Sequence, residues 1–197
     1  MDKKKFRKTC LEKLRKAERN GKFRRNRIVL RRVESIIKKY NPKAILLYLP
    51  MGHEVDVRPL FRRLRRDRKI YVPFMEGESF KLVQYRLPLQ RKRFGIYEPM
   101  NSHFYLSEID MAIVTVVGVD GRFRRIGFGK GMYDRFFGSL RRKPLTVFVQ
   151  LAKCYTKEKI TDDFDVMADI YITPEDIIVR GKRHVDRVDN RRCGSHG

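Results

Sequence analysis

Met111-Ala-Ile-Val-Thr-Val-Val117 is the stretch on which the fold turns, together with the segment that follows it, Asp120-Gly-Arg-Phe-Arg-Arg125-Ile-Gly127-Phe-Gly129-Lys130-Gly131-Met-Tyr133-Asp134-Arg135. A continuous apolar run of this length, bounded by turn residues, reads as a strand buried on both faces. Three glycines at alternate positions let a backbone approach a ligand without Cβ obstruction. Met132 to Leu140 then reads as a helix. Its N-terminus presents unpaired N–H groups and a partial positive charge, so strand, glycine turn and helix together form a phosphate cradle. Lys130 adds a mobile cation, Arg125 a planar donor fork, and Asp134 a carboxylate suited to Mg²⁺. The turn is neither a Walker A loop nor a dinucleotide fingerprint, since GxxxxGK[ST] and G-x-G-x-x-G are both missing. As a bare pattern it is also compatible with a flexible basic turn before a helix.

Working outward, the other segments repeat the alternation of strand and helix. Asp2 to Asn20 and Arg24 to Tyr40 read as helices, the second with Ile28, Val29, Val33, Ile36 and Ile37 near helical spacing. Ala44–Leu49 reads as a buried strand. Asp56 can cap a helix running to about Arg68, with Pro59 in its first turn. Lys69–Pro73, Phe80–Tyr85, Leu145–Val149 and Asp169–Ile172 read as further strands. This order predicts an α/β fold: a mainly parallel sheet with helices on both faces, a Rossmann-like three-layer sandwich. One domain over residues 1–180 is expected, followed by a basic, poorly ordered tail over 181–197. There is no internal repeat, heptad pattern or low-complexity tract.

The chain has 197 residues with 47 Lys plus Arg against 23 acidic residues, a net charge of +24. Such a surface attracts phosphates, nucleic acid and acidic membranes without choosing among them. No apolar run approaches the roughly 20 residues of a membrane span, and no apolar segment follows the charged N-terminus as a signal peptide requires. Cys10, Cys154 and Cys193 are scattered and odd in number, which reads as free thiols in a reducing compartment and so as a cytoplasmic protein. The four histidines, His53, His103, His184 and His196, show no metal-ligand spacing.

Several segments, in order, resemble one family, the 5-formyltetrahydrofolate cyclo-ligases. The resemblance spans roughly Lys3 to Glu175. It is carried by Lys3-x-x-x-Arg7, by Tyr48-Leu-Pro-Met-Gly-His-Glu54-Val-Asp56, and by Phe94-Gly-Ile-Tyr97-Glu-Pro99. Its most specific motif is Arg125-Ile-Gly127-Phe-Gly129-Lys130-Gly131-Met-Tyr133-Asp134; Gln150 and Asp165-x-x-x-Asp169-x-x-x-Thr173 follow. Phe164, Phe80 and Met132 depart from the family's usual residues.

The resemblance implies ATP- and Mg²⁺-dependent closure of 5-formyltetrahydrofolate to 5,10-methenyltetrahydrofolate, with release of ADP and phosphate. It assigns Lys130, Arg125 and Tyr133 to catalysis. Lys3, Arg7, Arg125, Gly127, Gly129, Lys130, Gly131, Tyr133 and Asp134 go to the nucleotide. Tyr48, Glu54, Phe94 and Tyr97 go to the folate, which could carry a polyglutamate tail, and Asp134 and Asp165 to the metal. Asp162 and Asp163 are close rivals of Asp165. A solvated helix face remains the alternative for Lys3 and Arg7, a core ion pair for Glu54, and a helix cap or surface charge for each aspartate. A monomer without membrane association is expected. Two other readings stay open. One is a basic RNA-binding protein, given runs such as Arg62-Arg63-Leu64-Arg65-Arg66. The other is a nucleotide-binding subunit without catalysis.

Overall fold

The computed structural model describes residues 2–85, 89–91, 97–99 and 108–181, with backbone alone at 76, 89–91 and 97–99. Two long helices open the chain, α1 (Lys3–Arg19) and α2 (Lys22–Tyr40). The Asp2 carboxylate starts α1 by accepting the Lys5 N–H at 2.8 Å. Asn41, in the left-handed conformation, ends α2 just before Pro42. β1 (Ala44–Leu46), α3 (Arg58–Leu64), β2 (Lys69–Glu76) and β3 (Ser79–Gln84) follow, then a short pair, β4 (Leu89–Arg91) and β5 (Tyr97–Pro99). β6 (Met111–Thr115), β7 (Gly118–Val119), β8 (Arg125–Ile126), α4 (Met132–Ser139), β9 (Leu145–Val149), β10 (Ile170–Ile172) and β11 (Ile177–Val179) complete the order.

The main sheet runs β11-β10-β9-β6-β1-β2-β3. Its inner pairs are parallel, whereas β2 with β3 and β10 with β11 are antiparallel. Alternation along each strand then sorts the core into two layers. Ile45, Ile70, Met111, Ile113, Val147 and Ile170 point to one face and pack under α1, α2 and α3. Leu46, Tyr71, Ala112, Val114, Phe148 and Tyr171 point to the other, where Phe136 and Phe137 of α4 cover them. The expected three-layer α/β sandwich is therefore present.

Four expectations need correction. The helix expected from Asp56 to Arg68 ends at Leu64, because Leu60 and Phe61 are its buried anchors and only charged residues follow Leu64 before Lys69. Its N-cap is Val57 rather than Asp56; the Asp56 carboxylate holds Arg58 through both backbone and guanidinium. The strand over Ala44–Leu49 is hydrogen-bonded as a strand only to Leu46. Finally, Cys10 and Cys154 are not free thiols. They form a disulfide, 144 residues apart in sequence, where α1 crosses the chain leaving β9. The two sulfurs meet in a buried cluster with Phe6, Val117 and Ile126. The compartment argument drawn from unpaired cysteines falls with that expectation. Cys193 and the tail from residue 182 lie outside the described residues.

Ile113 sits mid-strand, fully buried, at the centre of the sheet. Ile113→Ala is expected to cost about 2–5 kcal/mol. Urea unfolding of the variant beside the parent checks this.

Candidate active site

Strand order reverses between β1 and β6: from β1 the sheet continues to β2, and from β6 to β9. In open α/β sheets the crevice beyond the carboxyl ends at such a switch point is where ligands bind. The chain leaving β1 brings Tyr48 and Glu54 there, and the chain leaving β6 brings Arg125, the glycine turn and α4.

Arg125 is the centre of the arrangement. It is 5% exposed. Its Nε donates to the Thr115 carbonyl at 3.2 Å, and an Nη lies 3.7 Å from an Asp134 carboxylate oxygen. Its guanidinium stands over the Tyr133 ring, 4.8 Å from the centroid. Burial lowers its affinity for the proton, and the carboxylates of Asp134, Glu54 and Asp165 with the Tyr133 hydroxyl work the other way. An arginine holds its charge even so, and the site keeps a fixed positive centre.

The glycines follow from this geometry. A Cβ at Gly127 would lie 2.3 Å from an Arg125 nitrogen, so a side chain there would have to push the guanidinium aside. Gly129 has φ +108°, a conformation L-residues rarely adopt. The N-cap of α4, Gly131, makes no side-chain capping bond, so the cap leaves the first N–H groups of that helix to other partners. Lys130 is exposed on the turn, and its carbonyl accepts the Arg135 guanidinium at 2.6 Å.

Helix α1 closes one side. Arg7 Nε donates to the Gly127 carbonyl at 2.8 Å. Lys3 Nζ reaches Asp162 at 3.0 Å and makes a close ion pair with Asp165, above the Phe164 ring. Burial opposes the Lys3 charge, but the hydrogen bonds it donates to Asp165 and Asp162 outweigh that and hold the amine above its usual range. The three rival aspartates separate clearly. The Asp165 side chain is 6% exposed, against 57% for Asp162 and 87% for Asp163, which pairs with Arg122 and Arg124. Asp134 reaches the same segment, its carboxylate accepting the Val166 N–H at 3.0 Å. On this side of the site Asp134 and Asp165 are thus the little-exposed carboxylates, with side chains 11% and 6% exposed. No group of three or more metal-ligating side chains occurs among the described residues. Two carboxylates suit Mg²⁺, which keeps waters and takes its other ligands from phosphate.

On the opposite side the buried Glu54 carboxylate accepts the Met51 N–H at 2.8 Å. Burial raises its pKa, against the Met51 bond and the charges of Arg125 and Lys22. Tyr48, also buried, donates to the Val55 carbonyl at 2.7 Å, and burial pushes its phenol well up. Burial likewise raises Tyr133, with Arg125 opposing. Phe80 packs on the Tyr133 ring at 5.0 Å and on Phe136 at 4.4 Å, so this departure from the family pattern fills space beside α4.

Tyr48, Glu54, Arg125, Gly127, Tyr133 and Asp134 come together, and Lys3, Arg7 and Asp165 join them through the contacts to Gly127 and Val166. Phe94 lies outside the described residues, as does the side chain of Tyr97, whose backbone is in β5. A groove of about 710 Å³ lined by Phe6, Thr9, Lys13, Lys16, Lys153 and Tyr155 includes none of the residues predicted for the site. Gln150 serves the core, donating to the Val117 carbonyl and accepting from the Cys154 N–H.

Three contributors were not expected. Asp120, fully buried, accepts the N–H groups of Arg122 and Arg124 and the Thr161 hydroxyl, fixing the approach to the glycine turn. His53 sets its ring 5.0 Å from that of Phe128, linking the two loops. Thr115 ends β6 beneath Arg125. Only Asp120 had a sequence signal, as the acidic residue opening a turn.

The 5-formyltetrahydrofolate cyclo-ligase family model matches residues 1–174. Cyclo-ligases of Haemophilus influenzae and Mycoplasma pneumoniae are 24% and 26% identical over 142 and 139 residues, 67% and 68% of this chain and 76% and 74% of theirs. The 5,10-methenyltetrahydrofolate synthetase of Aquifex aeolicus superposes with a TM-score of 0.75 at 28% identity, covering 98% of this chain and all of the other. That of Mycoplasma pneumoniae gives 0.68 at 23% identity over 88% and 99%, a likeness of fold. With its glycine turn and buried arginine in that setting, the chain belongs to the 5-formyltetrahydrofolate cyclo-ligase family.

Proposed function

We propose that the protein closes 5-formyltetrahydrofolate to 5,10-methenyltetrahydrofolate at the expense of ATP, releasing ADP and phosphate. The observation that carries this reading is the convergence at one switch point of a cationic, glycine-lined turn and a buried carboxylate. A formyl oxygen is a poor leaving group. Transfer of the terminal phosphoryl group to it makes the carbon electrophilic, the neighbouring folate nitrogen attacks, and phosphate departs. Such a reaction asks the protein for positioning and charge neutralisation.

The residues divide accordingly. Backbone N–H groups of Gly127, Gly129 and Gly131 cradle the β- and γ-phosphates, and Arg125 and Lys130 balance the transferring charge. Tyr133 orders the Arg125 fork above its ring. Asp134 and Asp165 hold Mg²⁺, which neutralises phosphate charge when bound. Lys3 and Arg7 approach from α1. The Lys3–Asp165 pair keeps both charges compensated before the nucleotide arrives; with it, Lys3 turns to phosphate and Asp165 to the metal. Glu54 accepts N–H groups of the pterin, and Tyr48, with Phe94 and Tyr97, lines the folate.

The domain is taken as residues 1–180, and the enzyme as monomeric and cytoplasmic; gel filtration and cell fractionation check these. No helix of the described residues is long and apolar enough to cross a membrane. A net charge of +24 would also favour a polyglutamylated folate. On that basis polyglutamate substrates are expected to show a lower KM than the monoglutamate, with the difference shrinking at high salt.

The deciding assay gives purified protein 5-formyltetrahydrofolate, ATP and Mg²⁺ and follows the methenyl product by absorbance, with ADP and phosphate counted. Chelation should stop it. Absence of product, with tight salt-sensitive RNA retention, would favour the RNA-binding reading. Lys130→Ala is expected to lower kcat by roughly 10²–10³-fold, as loss of a charge-stabilising donor does. Binding of nucleotide with no turnover in the parent would favour the non-catalytic reading.

Glu54 offers a test with two signs. Its folded pKa lies above the ordinary 4.5 because of burial. The folded protein then holds that proton more tightly than the unfolded chain. Stability falls as pH rises from 4.5 through the folded value, and the ionised carboxylate is a net cost at neutral pH. Glu54→Gln is expected to raise the urea midpoint at pH 7, to lose that advantage at pH 4, and to lower kcat/KM for the folate by about tenfold or more.

A further inference from the structure

A backbone that must close on phosphate favours small residues, so a phenylalanine between Gly127 and Gly129 is out of keeping with its neighbours. Positioning and neutralising a phosphoryl group do not call for an aromatic ring. In the fold Phe128 stays exposed, and its ring partner among the described residues is His53. The centroids are 5.0 Å apart and the planes meet at 63°, the edge arrangement that aromatic pairs prefer.

The two rings arrive from different sides of the site. His53 precedes Glu54 in the loop after β1, and Phe128 lies in the glycine turn after β8. Each is bonded in the chain to a residue placed against a different substrate. The His53 loop is firmly seated. Glu54 closes it twice, its N–H donating to the Met51 carbonyl at 3.1 Å and its carboxylate accepting the Met51 N–H at 2.8 Å. The Lys22 amine at the start of α2 donates to the Gly52 carbonyl. A Cβ at Gly52 would come 2.6 Å from the carboxylate of Glu18, near the end of α1. The His53 Nε2 is shut off from solvent, with no hydrogen-bond partner among the described residues. Burial lowers the affinity of the ring for a proton, so it meets Phe128 uncharged at neutral pH.

The glycine turn is the looser partner. Gly129 and Gly131 have φ +108° and +63°, and glycine loses more freedom on ordering than any other residue. Arg7 holds the Gly127 carbonyl and Arg135 that of Lys130. Between those two anchors Phe128 meets His53.

We propose that His53 and Phe128 are positioning residues that couple the two substrates: folate on Glu54 fixes the His53 loop, the His53 ring fixes Phe128, and the glycine turn is ordered before the nucleotide arrives. This rests on the reading of Glu54 as the folate acceptor and of the turn as the phosphate cradle. The two states of the turn are Phe128 docked on His53 and Phe128 undocked. Whichever ligand binds first orders both loops, and the second meets a site already ordered. The coupling is reciprocal, so each ligand raises the affinity for the other by the same factor. One aromatic edge contact sets that factor at about two- to tenfold.

Calorimetry in Mg²⁺ measures it, with 5-formyltetrahydrofolate and a non-hydrolysable ATP analogue each titrated alone and with the other saturating. The parent is expected to show the factor in both orders. In His53→Ala it should vanish, while either ligand alone binds within about twofold of the parent. His53→Phe, which keeps an aromatic edge, should restore it. A role confined to holding the fold would instead weaken each ligand by itself. Amide exchange gives a second readout: folate alone should slow exchange at residues 128–130 in the parent and not in H53A.

A parent that binds both ligands independently overturns the proposal, as does an H53A protein that keeps the factor or an H53F protein that lacks it. Should H53A not fold, Phe128→Leu, a change at an exposed ring, is held to the same expectations. A parent that binds the nucleotide analogue but no folate overturns the functional reading and the coupling with it, so the two failures are told apart.

Discussion

A guanidinium that cannot discharge is buried at the junction of two loops, and the rest of the site is arranged around it. Arg125 is nearly inaccessible, so its charge must be answered by groups built into the fold. The answer comes from three directions: the end of β6 through the Thr115 carbonyl, α4 through Asp134 and the face of Tyr133, and the chain after β1 through Glu54. The same residue favours a glycine two positions on, because a Cβ there would displace its guanidinium. What reads in the sequence as a flexible glycine motif is in part a steric requirement of one buried cation.

Much of the fold was legible because local pattern and tertiary context agree. Met111–Thr115 is buried on both sides of the sheet, which a continuous apolar run encodes. The two opening helices end at Asn20 and Asn41, where the turn residues stand. The short edge strand β11 escaped notice since Ile177-Ile-Val179 is three residues long, half-buried, and gains its partner only from β10 beside it. α3 stopped early for a comparable reason: the pattern of charged residues continues helical, but nothing apolar remains to hold it against the sheet.

The site divides in the same way. Arg125, the glycines and Asp134 belong to one continuous segment, so spacing alone gathered them. Lys3, Glu54 and Asp165 are scattered along the chain, and only the family likeness linked them before the sheet did. The bond between Cys10 and Cys154 was illegible for that reason, with 144 residues between two unremarkable cysteines. Thr115 was hidden differently. Inside a strand it satisfies β-propensity, and only its carbonyl beneath the Arg125 guanidinium sets it apart.

The ion pair made by Lys3 has a practical corollary for anyone handling this molecule. α1 begins at residue 3, and that first residue of the helix already touches Asp162 and Asp165. A substitution that unwinds the first turn of that helix is therefore felt at both carboxylates, and assay material should keep that turn intact.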